Sequence, residues 1–296
     1  MNYSISEEKN NLTFKNGALK VFSMITAIII LTMTIGTLNV NAANVKTLSR
    51  PTMNGERTYS TEYTHPYNKQ TNTIILHWNK VSGADKYEVY VKGGQYSSWK
   101  KYAATASNSY TVSGLKRTTV YQFKVRAVSG NVYSDYSSAQ TIKTSRINYD
   151  QAGWEAICRI VYHEVGQMSG AMWDKPIVYV ADCVVNRYAA AKYGNSPTWT
   201  PYYRRYNTIQ DVIYKSGGFM SEAGLRRDGA TYNKVTRRVK QAVWGAVYGK
   251  TYYNNIANDY KIYYWCNRSY PTYSSKIAYS FKIPWGYFNI WRQYWG

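Results

Sequence analysis

The hydrophobic period of this chain changes once, near residue 146. Upstream of that point apolar residues recur every second position, and downstream they recur at helical spacing. A period of two buries one face of a strand, whereas a period of 3.6 buries one stripe of a helix. The change therefore divides the chain into an all-β module over 57–145 and a mainly α module with some strand over 154–296, joined by a linker at 146–153. The chain has 296 residues, enough for two such cores.

The first module reads as short strands at Thr73–Trp78, Lys86–Lys92, Ser109–Val112, Thr119–Val128 and Gln140–Lys143, with a turn at Ser82–Asp85. Short alternating strands separated by turn residues predict a sandwich. Trp78, the Gly83–Val89 segment, Leu115 and Tyr121–Ala127 resemble a fibronectin type III domain. The resemblance implies that Trp78 and Leu115 are core residues, that Tyr121 is the tyrosine of the corner motif, and that the module is a spacer or binding unit. A proline usual before that tyrosine is absent, the loop reading Leu115–Thr119.

In the second module Trp154, Ile157, Cys158, Val161, Tyr162 and Val165 form one apolar face of a helix. Asp150 is its expected N-cap and Gly166 its expected stop. Glu164 falls at the edge of that face in the last turn. Partial burial and the negative end of the helix dipole both disfavour an ionised carboxylate there, as a general acid near neutral pH requires. A second helix is expected after Asp174–Lys175–Pro176, with Asp174 as cap, Ile177, Val180, Ala181, Val184, Val185 and Tyr188 inside, Arg187 at the margin, and an end near Gly194. A third helix starts at Thr208, with Asp211 as an imperfect capping-box partner, and stops at Gly217–Gly218. A fourth runs from about Tyr232 to Val247. Strands are expected at Lys261–Cys266 and Ile277–Ile283, and Trp285–Trp291 closes the module.

Several chemistries lack the residues they need. His163–Glu164–Val165–Gly166–Gln167 misses the H-E-x-x-H zinc motif because its second histidine position holds Gln167. With a single histidine and no G-x-S-x-G elbow, the module offers no serine triad. There is no phosphate-binding glycine loop, and the reading calls for no metal and no cofactor. Three cysteines, Cys158, Cys183 and Cys266, make no disulfide framework, although one pair could bridge; Cys158 reads as a buried small hydrophobe. A carboxylate in an apolar setting with many aromatics suggests glycoside cleavage.

Tyr162–Gly166, Val180–Arg187 and Thr208–Tyr214, with the aromatic strand Tyr263–Trp265 and the closing Phe288, resemble the SleB-like cell-wall hydrolases, which include spore-cortex-lytic enzymes. The resemblance spans about residue 152 to the C-terminus. It implies a lysozyme-like fold, lytic transglycosylase action on peptidoglycan glycan strands, and Glu164 as the catalytic acid. Phe219, Tyr264, Trp265 and Tyr287 could line a sugar groove or pack as core, and Asn186 and Arg187 would position or brace the site. A water-using muramidase would need a second carboxylate, for which Glu222, read as a loop charge, and Asp182, read as a helix-face residue, are candidates. A wall- or glycan-binding protein without catalysis is the remaining alternative. Members usually carry Gly-x-His-x-Phe near the end; here the segment is Pro284–Phe288, and Gly286 occupies the His position.

Lys15 and Lys20 precede an apolar run from Val21 to Leu38, followed by Val40–Ala43. This is the pattern of a signal peptide over 1–42 cut after Ala42, or, uncleaved, of an N-terminal anchor. Residues 43–56 read as an extended lead-in. A secreted location at the bacterial cell wall follows as an expectation. The net charge of +21 then directs the protein toward anionic wall polymers rather than nucleic acid.

Overall fold

The computed structural model describes residues 47–54, 70–194, 207–215, 218–249, 253–270 and 273–292. The expected signal segment 1–42, parts of the expected lead-in, and Gly217 lie outside the described residues.

The β module contains β1 (Ile74–His77), β2 (Lys86–Gly93), β3 (Tyr96–Thr105), β4 (Ser109–Val112), β5 (Val120–Ser129), β6 (Val132–Tyr133) and β7 (Gln140–Lys143). β1 pairs antiparallel with β4. The second sheet runs β3-β2-β5-β6, with β7 also on β5. Alternation along β5 decides which side chains meet the first sheet. Tyr121, Phe123, Val125 and Ala127 are buried, while Gln122, Lys124 and Arg126 between them are not. Trp78 meets Tyr87 edge-on, ring centroids 5.4 Å apart, at the centre of this core. β3 and β6 fall where the sequence analysis placed no strand.

The buried Tyr121 hydroxyl accepts from the Lys116 N–H at 2.8 Å and donates to Gln95 Oε1 at 2.6 Å, making the expected corner. Tyr121→Phe keeps the ring but leaves a loop N–H unpaired. We expect a loss of about 1–2 kcal/mol in urea unfolding, with the slope unchanged.

The second module contains α1 (Gln151–Val161), α2 (Asp174–Tyr193), α3 (Ile209–Tyr214), α4 (Glu222–Arg227) and α5 (Arg237–Tyr248), followed by β8 (Tyr264–Arg268), β9 (Ile277–Ile283) and β10 (Gly286–Trp291). Asp150 caps α1, its Oδ1 accepting from the Gly153 N–H at 2.7 Å. Thr208 and Asp211 complete a full capping box on α3. α2 is buried on almost every side, so α1, α3 and α5 pack around it. Its N-cap position is Trp173, with Asp174 the first helical residue, which corrects the expected cap by one position. Two further expectations are corrected. The fourth helix begins only at Arg237, because Tyr232–Lys234 is a 3₁₀ turn and Val235 and Thr236 are extended. Glu222 is not a loop charge but the first residue of α4, capped by Ser221. All three cysteines are free. The small sheet has the order β8-β10-β9 and packs Phe288 and Ile290 into the helical core. Among the described residues no helix is long and apolar enough to cross a membrane.

Candidate active site

α1 does not run on to Gly166. After Val161 the backbone opens into a π-helical turn, Tyr162–Gly166, which carries Glu164. Such turns insert an extra residue into the helical register and recur at functional sites. Gly166 is needed here for packing rather than as a helix stop, since a Cβ at this position would lie 2.6 Å from Val239 Cγ2 of α5.

The turn presents Glu164 with a quarter of its side chain accessible. Its Oε2 accepts the indole N–H of Trp265, on β8, at 2.9 Å. Its Oε1 lies 3.4 Å from His163 Nδ1. The other imidazole nitrogen, Nε2, meets Asp228 Oδ2 at 3.1 Å just beyond α4. Arg227 and His163 together hold the Asp228 carboxyl below the usual carboxylate range. One carboxylate is thus oriented by a neutral donor on one side and flanked by an imidazole tied to a second carboxylate on the other.

Trp265 stacks almost parallel on Phe219, 8° between planes and 4.9 Å between centroids. Phe219 is held there because its N–H and that of Met220 both donate to Ile213 O, folding the chain back after α3. The Arg187 guanidinium lies over Phe219 at 4.0 Å and Tyr264 at 4.6 Å, and its Nε donates to Tyr263 O. Glu164, Trp265, Phe219, Arg187 and Tyr264, spread over a hundred positions, therefore form one cluster. Trp265 and Phe219 are half-buried, leaving ring surface at the carboxylate.

Two residues named from the sequence are not in this cluster. Tyr287 pairs with Arg268 and Lys282, and strand alternation puts it on the opposite face of the sheet from Trp265, which pairs with Ile290. Asn186 is buried; its amide donates to Asp259 O and Ile262 O and accepts from Arg146, so it braces the segment leading into β8. Neither candidate second carboxylate belongs to this cluster. Glu222 bonds Arg159 and Arg226, which hold its carboxyl low. Asp182 lies on α2, as read from the sequence, and is fully buried. The contacts missed from the sequence are His163 and Asp228, joined across 65 positions. Gly286, at the expected histidine position, has φ of 141°, and a Cβ there would come within 2.1 Å of Arg268 O. The β9–β10 turn excludes any side chain at that point. Among the described residues no three His, Cys, Asp or Glu side chains are grouped to hold a metal.

Comparison with known proteins decides the identity of the first module. The fibronectin type III domain model matches residues 61–143. Residues 61–143 are a fibronectin type III domain. Mouse (Mus musculus) fibronectin type III domain-containing protein 7 is 35% identical over 79 residues, 26% of this chain and 10% of that protein. The chain thus spans about a tenth of that relative's length. Among solved structures, FN3tt is 31% identical over 25% of this chain and 78% of its own, with a TM-score of 0.23. The domain of human fibronectin type III domain containing protein 3 is 21% identical over 35% of this chain and 92% of its own, with a TM-score of 0.28. The fibronectin type III domain is followed by helices and a three-stranded sheet.

Proposed function

We propose that the second module is a lysozyme-like domain of the SleB-like type and that the protein is a secreted, peptidoglycan-cleaving lytic transglycosylase. The observation that carries this reading is the Glu164 carboxyl group, partly accessible on its π turn, oriented by the Trp265 N–H and bordered by the Trp265–Phe219 stack. Aromatic faces pack against sugar rings, and an oriented carboxyl group at their edge can pass a proton.

In the reaction, the Glu164 carboxyl group protonates the glycosidic oxygen between the muramic acid and glucosamine residues, and the bond from that oxygen to the muramic C1 breaks. The muramic C6 hydroxyl forms a new bond to C1 and gives its proton to the Glu164 carboxylate. One bond breaks and one forms, no water is consumed, and the acid is restored. The products are a 1,6-anhydromuramic end and a free glucosamine 4-hydroxyl. The Trp265 donor on Oε2 leaves Oε1 to carry the proton.

Mass spectrometry of purified peptidoglycan incubated with the protein tests this. Anhydro-muropeptides are the expected product, and an unchanged glycan would overturn the reading. Trp265→Phe keeps the stack on Phe219 but removes the indole N–H, so product release should fall about tenfold, the worth of one hydrogen bond to a charged group. An unchanged rate would remove Trp265 from the mechanism.

A muramidase is the second reading, because His163, held by Asp228, is a base that could activate water beside Glu164. Its products would carry reducing muramic ends instead.

A further inference from the structure

A second site lies where the fibronectin type III domain meets the helices, within the single unit Thr47–Gly296. A cavity of about 490 Å³ is walled by Arg117, Thr118 and Lys143 from the first module and by Arg146, Gly249 and Tyr260 among others from the linker and the second. Among the described residues its lining includes three cations and no carboxylate. The cations are held in place. Lys143 Nζ donates to Gly249 O at 2.7 Å. Arg117 Nη1 donates to Arg146 O at 3.1 Å, and its guanidinium lies over the Tyr193 ring at 4.7 Å. Arg146 donates to Ala246 O and Asn186 Oδ1 and lies over Tyr260. The one carboxylate acting strongly on this group, Asp182, sits behind Arg146 on α2 and is taken up by Asn258 and the Asp259 N–H.

Three like charges gathered at one cavity repel each other, and burial adds to the cost for both arginines, holding each guanidinium below its ordinary range. An anion removes both penalties. A carboxylate offers one charge and two oxygens, whereas a phosphate group brings up to two charges and three or four oxygens to two guanidinium forks and an ammonium. A guanidinium has five N–H donors, so the bond that positions Arg117 leaves donors for a ligand.

We propose that this cavity binds a phosphate group, either free or as the phosphodiester of an anionic polymer. Because its walls come from both modules, the bound group ties the fibronectin type III domain to the helices. The site does not depend on the glycan-cleavage reading, since no residue of the Glu164 cluster lines it.

Calorimetric titration of the purified protein with inorganic phosphate at constant ionic strength tests the proposal, alongside thermal unfolding with and without phosphate. Saturable binding and a raised midpoint are expected. Arg117→Gln and Lys143→Gln should each weaken binding about tenfold, while Lys143→Arg, which keeps the charge, should stay within about twofold. A short glycerol-phosphate oligomer distinguishes the sources: tighter binding than phosphate, lost in the same variants, assigns a polymer, and weaker binding assigns free phosphate. No saturable phosphate binding by the native protein, or equal affinity in the folded Arg117→Gln/Lys143→Gln double variant, would overturn it.

Discussion

Glu164→Gln should lower the release of anhydro-muropeptides by at least about 10³-fold while leaving the protein folded and bound to peptidoglycan. General acid–base catalysis by one group contributes roughly 10²–10⁴-fold, and in the proposed reaction the same carboxyl group serves as acid in one half and base in the other. The amide can still accept the Trp265 N–H through its oxygen, so the local packing survives and the loss falls on proton transfer. Binding should persist, because the aromatic stack of Trp265 and Phe219 with Arg187 is untouched. Asp228→Asn sharpens the result. If the C6 hydroxyl is the nucleophile, His163 and Asp228 only help to orient Glu164, and the rate should fall a few-fold. If water is the nucleophile, His163 is its base and Asp228 holds it, so the loss should approach that of Glu164→Gln, with reducing ends in the residual product. Lysis that survives Glu164→Gln undiminished would end the role given to this carboxyl group under either mechanism.

The parts of this fold that were legible in the sequence are those set by contacts close along the chain. Alternation in Val120–Ser129 announces β5, because each second residue must enter the core. Asp150 and the Thr208/Asp211 pair announce helix starts, because a cap satisfies N–H groups two or three residues away. β3 was not legible. Its ten residues include no buried position, so it is an outer strand held by pairing with β2 rather than by its own apolar face. The π turn was hidden for a related reason: Tyr162, His163 and Glu164 fit an α-helical stripe nearly as well, and the close approach of Gly166 to Val239 that accompanies the opening is tertiary. In the candidate site, Glu164 was legible by its place at the end of an apolar face. Its partners Trp265, His163 and Asp228 were not legible as partners, since spacing within one helix says nothing of a strand a hundred residues on. Tyr287 was misplaced because aromatic composition does not reveal which face of a strand a ring takes.

Arg146→Met should cost about 3–5 kcal/mol of stability at neutral pH, the scale of two buried hydrogen bonds from a charged donor at roughly 1.5–3 kcal/mol each. Arg146 joins the linker to the core through Ala246 O and Asn186 Oδ1, and Asn186 in turn holds the 259–262 segment that leads into β8. It is also the cation that favours the ionised form of Asp182. Burial pushes the Asp182 carboxyl up to about 7, against the opposing pull of the Asp259 N–H, Arg146 and Asn258. A carboxyl group raised in the folded state stabilises the protein while it is protonated, and that contribution is lost as pH rises from about 4 toward 7. Without Arg146 the folded-state value moves higher still, so the loss continues above pH 7. The deficit of Arg146→Met should therefore be smallest near pH 4, where Asp182 is protonated in the folded chain, and largest above pH 7. Asp182→Asn removes the titration and should flatten stability between pH 4 and 7, and in the Arg146→Met background it should recover part of the neutral-pH loss. Urea unfolding of the four proteins across this range measures all of it. A deficit that does not change with pH would mean that Arg146 acts through its hydrogen bonds and packing alone, and that its charge has no effect on Asp182.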